Sequence, residues 1–141
     1  MSSLDGTSLF EPTASAHTRR VLVIDDSVLV REAAKIALGA TGGWEVLTAT
    51  CGEEGIALAA SEHPDAILLD VVMPGIDGIT VAKHLQRMPS TSSLPVVLLT
   101  ATGQPEDREG YSELGLAGVI AKPFDVAGLA NQLATLLGWE T

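Results

Sequence analysis

Basic residues are scarce in this chain. Eight Lys and Arg stand against eighteen Asp and Glu, a formal net charge of −10. Nucleic acids and anionic membranes are gripped by Lys and Arg that neutralise negative charge, so this balance predicts neither as a partner. It favours solubility instead. Cysteine is nearly missing: Cys51 stands alone, permits no intrachain disulfide, and is compatible with a reducing compartment, so a cytoplasmic location is expected. No apolar run approaches the ~20 residues needed to span a bilayer. The opening stretch, MSSLDGTSLFEPTASAHTRR, is rich in Ser and Thr and has no apolar segment of the kind a secretory signal needs. Residues 1–19 are expected to form a disordered tail, residues 20–138 one domain, and 139–141 the end of the chain.

Apolar material is plentiful. Hydrophobic residues make up 46% of the 141 positions. A single domain of ~150 residues buries roughly 68–70% of its unfolded-chain surface, so a core can form without disulfide or metal staples. From Val21 onward, short continuous apolar runs alternate with helix-like segments: VLVID, WEVLTAT, DAILLD, PVVLLTA and AGVIA as strands; SVLVREAAKIALGATGG, CGEEGIALAASEH, DGITVAKHLQRM, QPEDREGYSELG and DVAGLANQLATLLG as helices. Thr50 with Glu53 has capping-box spacing, and Asp77 is placed to cap its helix. Strands apolar throughout are buried on both faces, and alternation with helices predicts a parallel sheet. The expected fold is therefore α/β, with five strands and five helices in the order βαβαβαβαβα. Ligands of such sheets bind beyond the carboxyl ends of the strands.

The polar residues gather at those ends. Asp25 and Asp26 close the first strand, Asp70 the third, Thr100 the fourth and Lys122 the fifth. Any one of the acids alone is better explained as a helix cap. Three acids, a hydroxyl and an ammonium on one edge are not, because capping requires no lysine there. Carboxylates at close range repel by about 4 kcal/mol per pair at 4 Å and an effective dielectric of 20, so positive charge should sit among them. Lys122 supplies one unit, and Mg²⁺, which takes carboxylate and phosphate oxygens, could supply the rest. A carboxylate beside such a metal can attack phosphorus and become an aspartyl phosphate.

Taken together, VLVIDDS, PDAILLDVVMPGIDG, VVLLTA and GVIAKPF resemble the receiver domain of two-component response regulators, the chemotaxis-regulator-like fold. The resemblance runs from about Arg20 to Leu137. It implies a flavodoxin-like, doubly wound sheet with strand order 2-1-3-4-5. It implies Asp70 as phosphoacceptor; Asp26, Asp70 and the Val72 carbonyl as ligands of Mg²⁺ (or Mn²⁺), with Asp25 assisting; Thr100 as the switch hydroxyl; and Lys122 as the phosphoryl-binding cation. It also implies a cis Lys122–Pro123 bond. The phosphoryl group would come from a sensor histidine kinase or a histidine phosphotransfer protein, and the product would change affinity for a downstream protein target.

The chain departs from the family at Val119, where many receivers carry an aromatic that turns inward on phosphorylation. Valine lacks the length for that role, so output is expected through backbone movement after the fourth strand, with Tyr111 as a candidate participant. The resemblance implies that the positions of Val72 and Thr102 flank the path of the attacking water. A phosphatase of the haloacid dehalogenase type would want D-x-D, and Val72 breaks that pattern; no P-loop or dinucleotide fingerprint is present. The chain is thus expected not to be a metabolic enzyme, although it would assist its own phosphorylation and dephosphorylation. It ends just past the last helix, which suggests a stand-alone, monomeric regulator; the alternatives are a fragment of a longer regulator or a binding module that is never phosphorylated.

Overall fold

A computed structural model of the chain describes residues 18–101 and 115–139. Its elements run β1 Arg20–Ile24, α1 Val28–Ile36, β2 Glu45–Ala49, α2 Gly52–Glu62, β3 Ala66–Asp70, α3 Gly78–Arg87, β4 Val96–Thr100, β5 Gly118–Ala121 and α4 Leu129–Leu137. The strands form one parallel sheet in the order β2-β1-β3-β4-β5, the doubly wound arrangement the resemblance implies. Four helices lie among the described residues. The helix expected over QPEDREGYSELG falls outside them, as do Tyr111, Thr102 and nearly all of the expected tail.

The continuous apolar runs are explained by two cores, one on each face of the sheet. Successive side chains on a strand point to opposite faces. Val21, Val23, Leu68, Val97 and Leu99 face one way, onto Ala34, Leu38, Leu129 and Leu133 of the α1 and α4 side. Leu22, Ile24, Ile67, Leu69 and Leu98 face the other, onto Ala59, Val81 and Leu85 of α2 and α3. Each fully buried Leu or Ile contributes about 1.5–3 kcal/mol relative to exposure. β3 and β4 are buried at every position, so they form the rigid centre from which the chemistry projects.

The helix starts are set locally. Ser27 caps α1 by accepting from Val30 N–H, and Asp77 caps α3 by accepting from Thr80 N–H at 2.8 Å. The α2 start differs from the expected capping box: Glu54, not Glu53, reaches back, accepting from Thr50 N–H at 2.7 Å and from its hydroxyl at 2.9 Å. The cap position belongs to Cys51, one residue later than Thr50, which moves the reciprocal glutamate by one. α1 ends in a π-helical turn, Ala37–Thr41, that buries Leu38.

Gly78 joins fold to site. Its N–H donates to Val71 O at 2.8 Å, and a Cβ there would overlap the main-chain oxygen of Asp70 and crowd Val71 Cα. Both obstacles are backbone, so neither can rotate away. Gly78→Ala is expected to cost about 3 kcal/mol or more, the upper range for overpacking. A chemical denaturation curve with an unchanged midpoint would refute this.

Candidate functional site

Strand alternation brings two of the acids together. Val23 pairs with Leu68 and Ile24 with Leu69 across β1 and β3. Asp25 extends the ladder, its N–H donating to Ala49 O at 3.1 Å, and one further step along the register sets it beside Asp70. Asp25 shares the parity of Val21 and Val23, and Asp70 that of Leu68, so both emerge on the α1 side of the sheet. Asp26 follows on the β1–α1 turn and is exposed, whereas Asp25 is fully buried and Asp70 4% exposed. One carboxylate oxygen from each of the three lies within 4.8 Å of the others.

Lys122 closes the cluster from β5. Its Nζ stands 2.9 Å from Asp25 Oδ2 and 3.1 Å from Asp70 Oδ1. Its N–H donates to Thr100 O at 2.8 Å, which ties the β5 exit to the end of β4. The Lys122–Pro123 bond is cis. Asp70 Oδ1 also accepts from Val72 N–H at 3.3 Å, and Asp25 Oδ1 from Ser27 N–H at 2.9 Å. Burial pushes the Asp70 carboxyl above its ordinary range; Lys122 pulls it back down, the Asp25 charge adds to the rise, and the rise prevails. For Lys122, burial works to lower the ammonium, but Asp25 and Asp70 together outweigh it and raise the value.

The structure thus brings Asp25, Asp26, Asp70 and Lys122 into direct proximity. Thr100 lies buried at the same edge, joined to Lys122 through the backbone. The Val72 side chain is 74% exposed, so this residue can serve the site only through its main chain. Val119, half-buried opposite Leu98, packs against the α2–α3 core.

Three carboxylates and one ammonium leave two formal negative charges, the complement of a divalent cation. Asp25 Oδ2 supports the fit: it is buried without an aligned hydrogen-bond donor, its one close cation among the described residues being the Lys122 ammonium in ion-pair contact. An all-oxygen donor set with one exposed edge suits Mg²⁺, which keeps several waters.

Two features were not anticipated from the sequence. Arg31 on α1 donates from Nη1 to Asp25 O at 2.8 Å. An apolar cleft of about 500 Å³ opens beside Lys122 and Pro123, walled by Leu29, Ala33, Phe124 and Val126. Leu29 is 81% exposed. The available signal was the apolar pair Val28-Leu29, which the amphipathic face of α1 cannot bury whole.

Comparison with known proteins identifies the family and the fold. The family model described as the response regulator receiver domain matches residues 21–134. The DNA-binding dual master transcriptional regulator RpaA of Synechocystis sp. is 37% identical over 118 residues, covering 84% of this chain and 48% of that protein. The response regulator PleD of Caulobacter vibrioides is 43% identical over 120 residues, covering 83% of this chain and 26% of that protein. The structure is similar to that of the chemotaxis protein CheY4 of Vibrio cholerae, with a TM-score of 0.80 and 30% identity, over 85% of this chain and 99% of that one. The chain therefore spans about half the length of RpaA and a quarter of PleD. These relatives correct one expectation. Net charge argued against any nucleic-acid partner, yet relatives such as RpaA are named as DNA-binding or transcriptional regulators. The charge of 141 residues carries no information about a protein twice as long. Among the described residues, no helix is long and apolar enough to cross a membrane.

Proposed function

Because the chain belongs to the response regulator receiver domain family of two-component signalling, we propose that it is a cytoplasmic phosphoacceptor that takes a phosphoryl group from a partner's phosphohistidine onto Asp70. The observation that carries this is the Lys122 ammonium held between Asp25 and Asp70 at 2.9 and 3.1 Å. Lys122 and the Val72 N–H hold Asp70 Oδ1, which leaves Oδ2 as the attacking atom. An Asp70 Oδ2 lone pair forms the O–P bond as the P–N bond to the donor imidazole breaks; the imidazole nitrogen keeps that electron pair and takes a proton from water. Lys122 and the Thr100 hydroxyl would receive the phosphoryl oxygens, where charge is spread in the transition state. Asp25, Asp26, Asp70 and the Val72 carbonyl would hold Mg²⁺, which when bound neutralises charge between carboxylate and phosphoryl group. A carboxylate whose proton affinity is raised by burial is also the better nucleophile. The apolar cleft beside Lys122 offers the donor protein a contact surface next to the reacting atoms.

With Val119 in place of an aromatic, the signal would leave through the segment after Thr100 and alter affinity for a target, in the same chain or another. The test is incubation with acetyl phosphate followed by intact mass measurement. A phosphoryl adduct is expected with Mg²⁺ and is expected to fall to background when EDTA removes it. Absence of an adduct with the metal present would overturn the proposal and leave a binding module.

A further inference from the structure

Three hydrogen bonds converge on the turn that carries the acids. The Asp25 N–H donates to Ala49 O at 3.1 Å and holds Asp25 itself, while Asp25 Oδ1 accepts from Ser27 N–H at 2.9 Å and so ties down the peptide joining Asp26 to Ser27. The third is the bond from Arg31 Nη1 to Asp25 O at 2.8 Å, and it acts elsewhere. That oxygen belongs to the peptide joining Asp25 to Asp26. Asp26 is exposed, and among the described residues no hydrogen bond holds its carboxylate. Its aim therefore depends on the two peptide planes that flank it; the Asp25 side chain holds the one that follows and Arg31 the one that precedes. The arginine is half-buried, and its charge reinforces the lowering of Glu54 that the Thr50 hydrogen bonds chiefly cause. A planar, always charged donor is well suited to hold a carbonyl in a fixed direction.

We propose that Arg31 is a positioning residue for the cation site: by fixing the Asp25–Asp26 peptide it aims Asp26 at the ion that Asp25 and Asp70 also face. This rests on the divalent-cation reading of the acid cluster. Positioning and charge make opposite demands. Removing a positive charge near three carboxylates should, by Coulomb attraction alone, tighten cation binding. Losing a group that orients a ligand weakens metal affinity, typically 10–100-fold.

The experiment is calorimetric titration of the full chain with Mg²⁺ for the wild type, Arg31→Ala, Arg31→Gln, Arg31→Lys and Asp26→Asn. Thermal melts without metal report folding separately. Arg31→Ala is expected to bind about 10-fold more weakly or worse, and Arg31→Lys to recover part of the loss. An Arg31→Ala affinity equal to or tighter than wild type overturns the proposal. Should that variant not fold, Arg31→Gln, which keeps the stem and loses the cation, decides it by the same criterion. If Asp26→Asn loses affinity while the Arg31 variants do not, the positioning role alone fails. If the wild type takes up no Mg²⁺, the cation reading fails and the proposal with it.

Discussion

Asp70→Asn is expected to abolish the phosphoryl adduct and, at neutral pH, to raise the melting temperature. The first effect follows from chemistry: an amide matches the carboxylate in shape but offers phosphorus no charged nucleophile. The second follows from placement. Asp70 is 4% exposed, and its carboxyl is pushed up first by burial and further by Asp25, against the pull of Lys122 and the Val72 N–H. A carboxyl raised in the folded state contributes stability that is fully present below its unfolded value, near the ordinary 3.8, and is lost as pH rises through the folded value. At neutral pH the ionised group thus weakens the fold, and asparagine removes that cost. A rise of a few degrees would correspond to about 1 kcal/mol in a domain of this size. Melts of both proteins across the acid range check the linkage: the gap should be widest at neutral pH, narrow as pH falls through the folded value and close below the unfolded one. An adduct surviving on the variant would point to another nucleophile, and a variant that melts lower would contradict the burial argument. The site would then be a place where function is held at the expense of stability.

Much of this was legible because strand alternation is rigid. The runs VLVI, AILL and VVLL are continuous because both faces of β1, β3 and β4 are covered, and a parallel sheet puts every strand's carboxyl end on one edge. Asp25 and Asp70 then fall side by side by register, and Lys122 reaches them from an outer strand. Ser27 and Asp77 cap as their positions suggest, because capping is decided within four residues. What was not legible depends on how helices sit over the sheet. Whether Glu53 or Glu54 reaches Thr50 turns on a one-residue shift of the helix start. The need for glycine at 78 arises where α3 folds back onto the end of β3. Arg31 resembles any solvated helix arginine until α1 is laid beside β1. The excluded nucleic-acid partner failed for a different reason: composition describes the residues present, and the relatives are longer.

Lys122→Met is expected to lower labelling and stability together. Lys122 is the one cation in contact with Asp25 and Asp70 among the described residues. Methionine keeps most of the stem and removes the charge, leaving two buried carboxylates face to face. Breaking a buried pair by deleting one partner costs 3–5 kcal/mol; because Lys122 is partly exposed, about 3 kcal/mol is expected here. The pH sign is opposite to that of an ordinary paired acid. An ammonium raised in the folded state contributes stability that is fully present below its unfolded value, near the ordinary 10.5, and is lost as pH rises through the folded value. The wild-type advantage should therefore hold across neutral pH and shrink only in strong alkali. In acid it should also shrink, because protonating Asp70 relieves the repulsion that methionine exposes. Mg²⁺ should stabilise the variant more than the wild type, since the formal charge of the cluster changes from −2 to −3 and a ligand stabilises in proportion to its affinity for the native state. The labelling rate should still fall roughly 10²–10³-fold with Mg²⁺ present, the usual cost of removing a preorganised charge from the transferring group. These outcomes separate the two jobs of Lys122. The metal can replace its charge against the carboxylates but not its contact with the phosphoryl oxygens, so stability recovered without rate is the signature of the proposed mechanism. Recovery of both, or loss of neither, would contradict it.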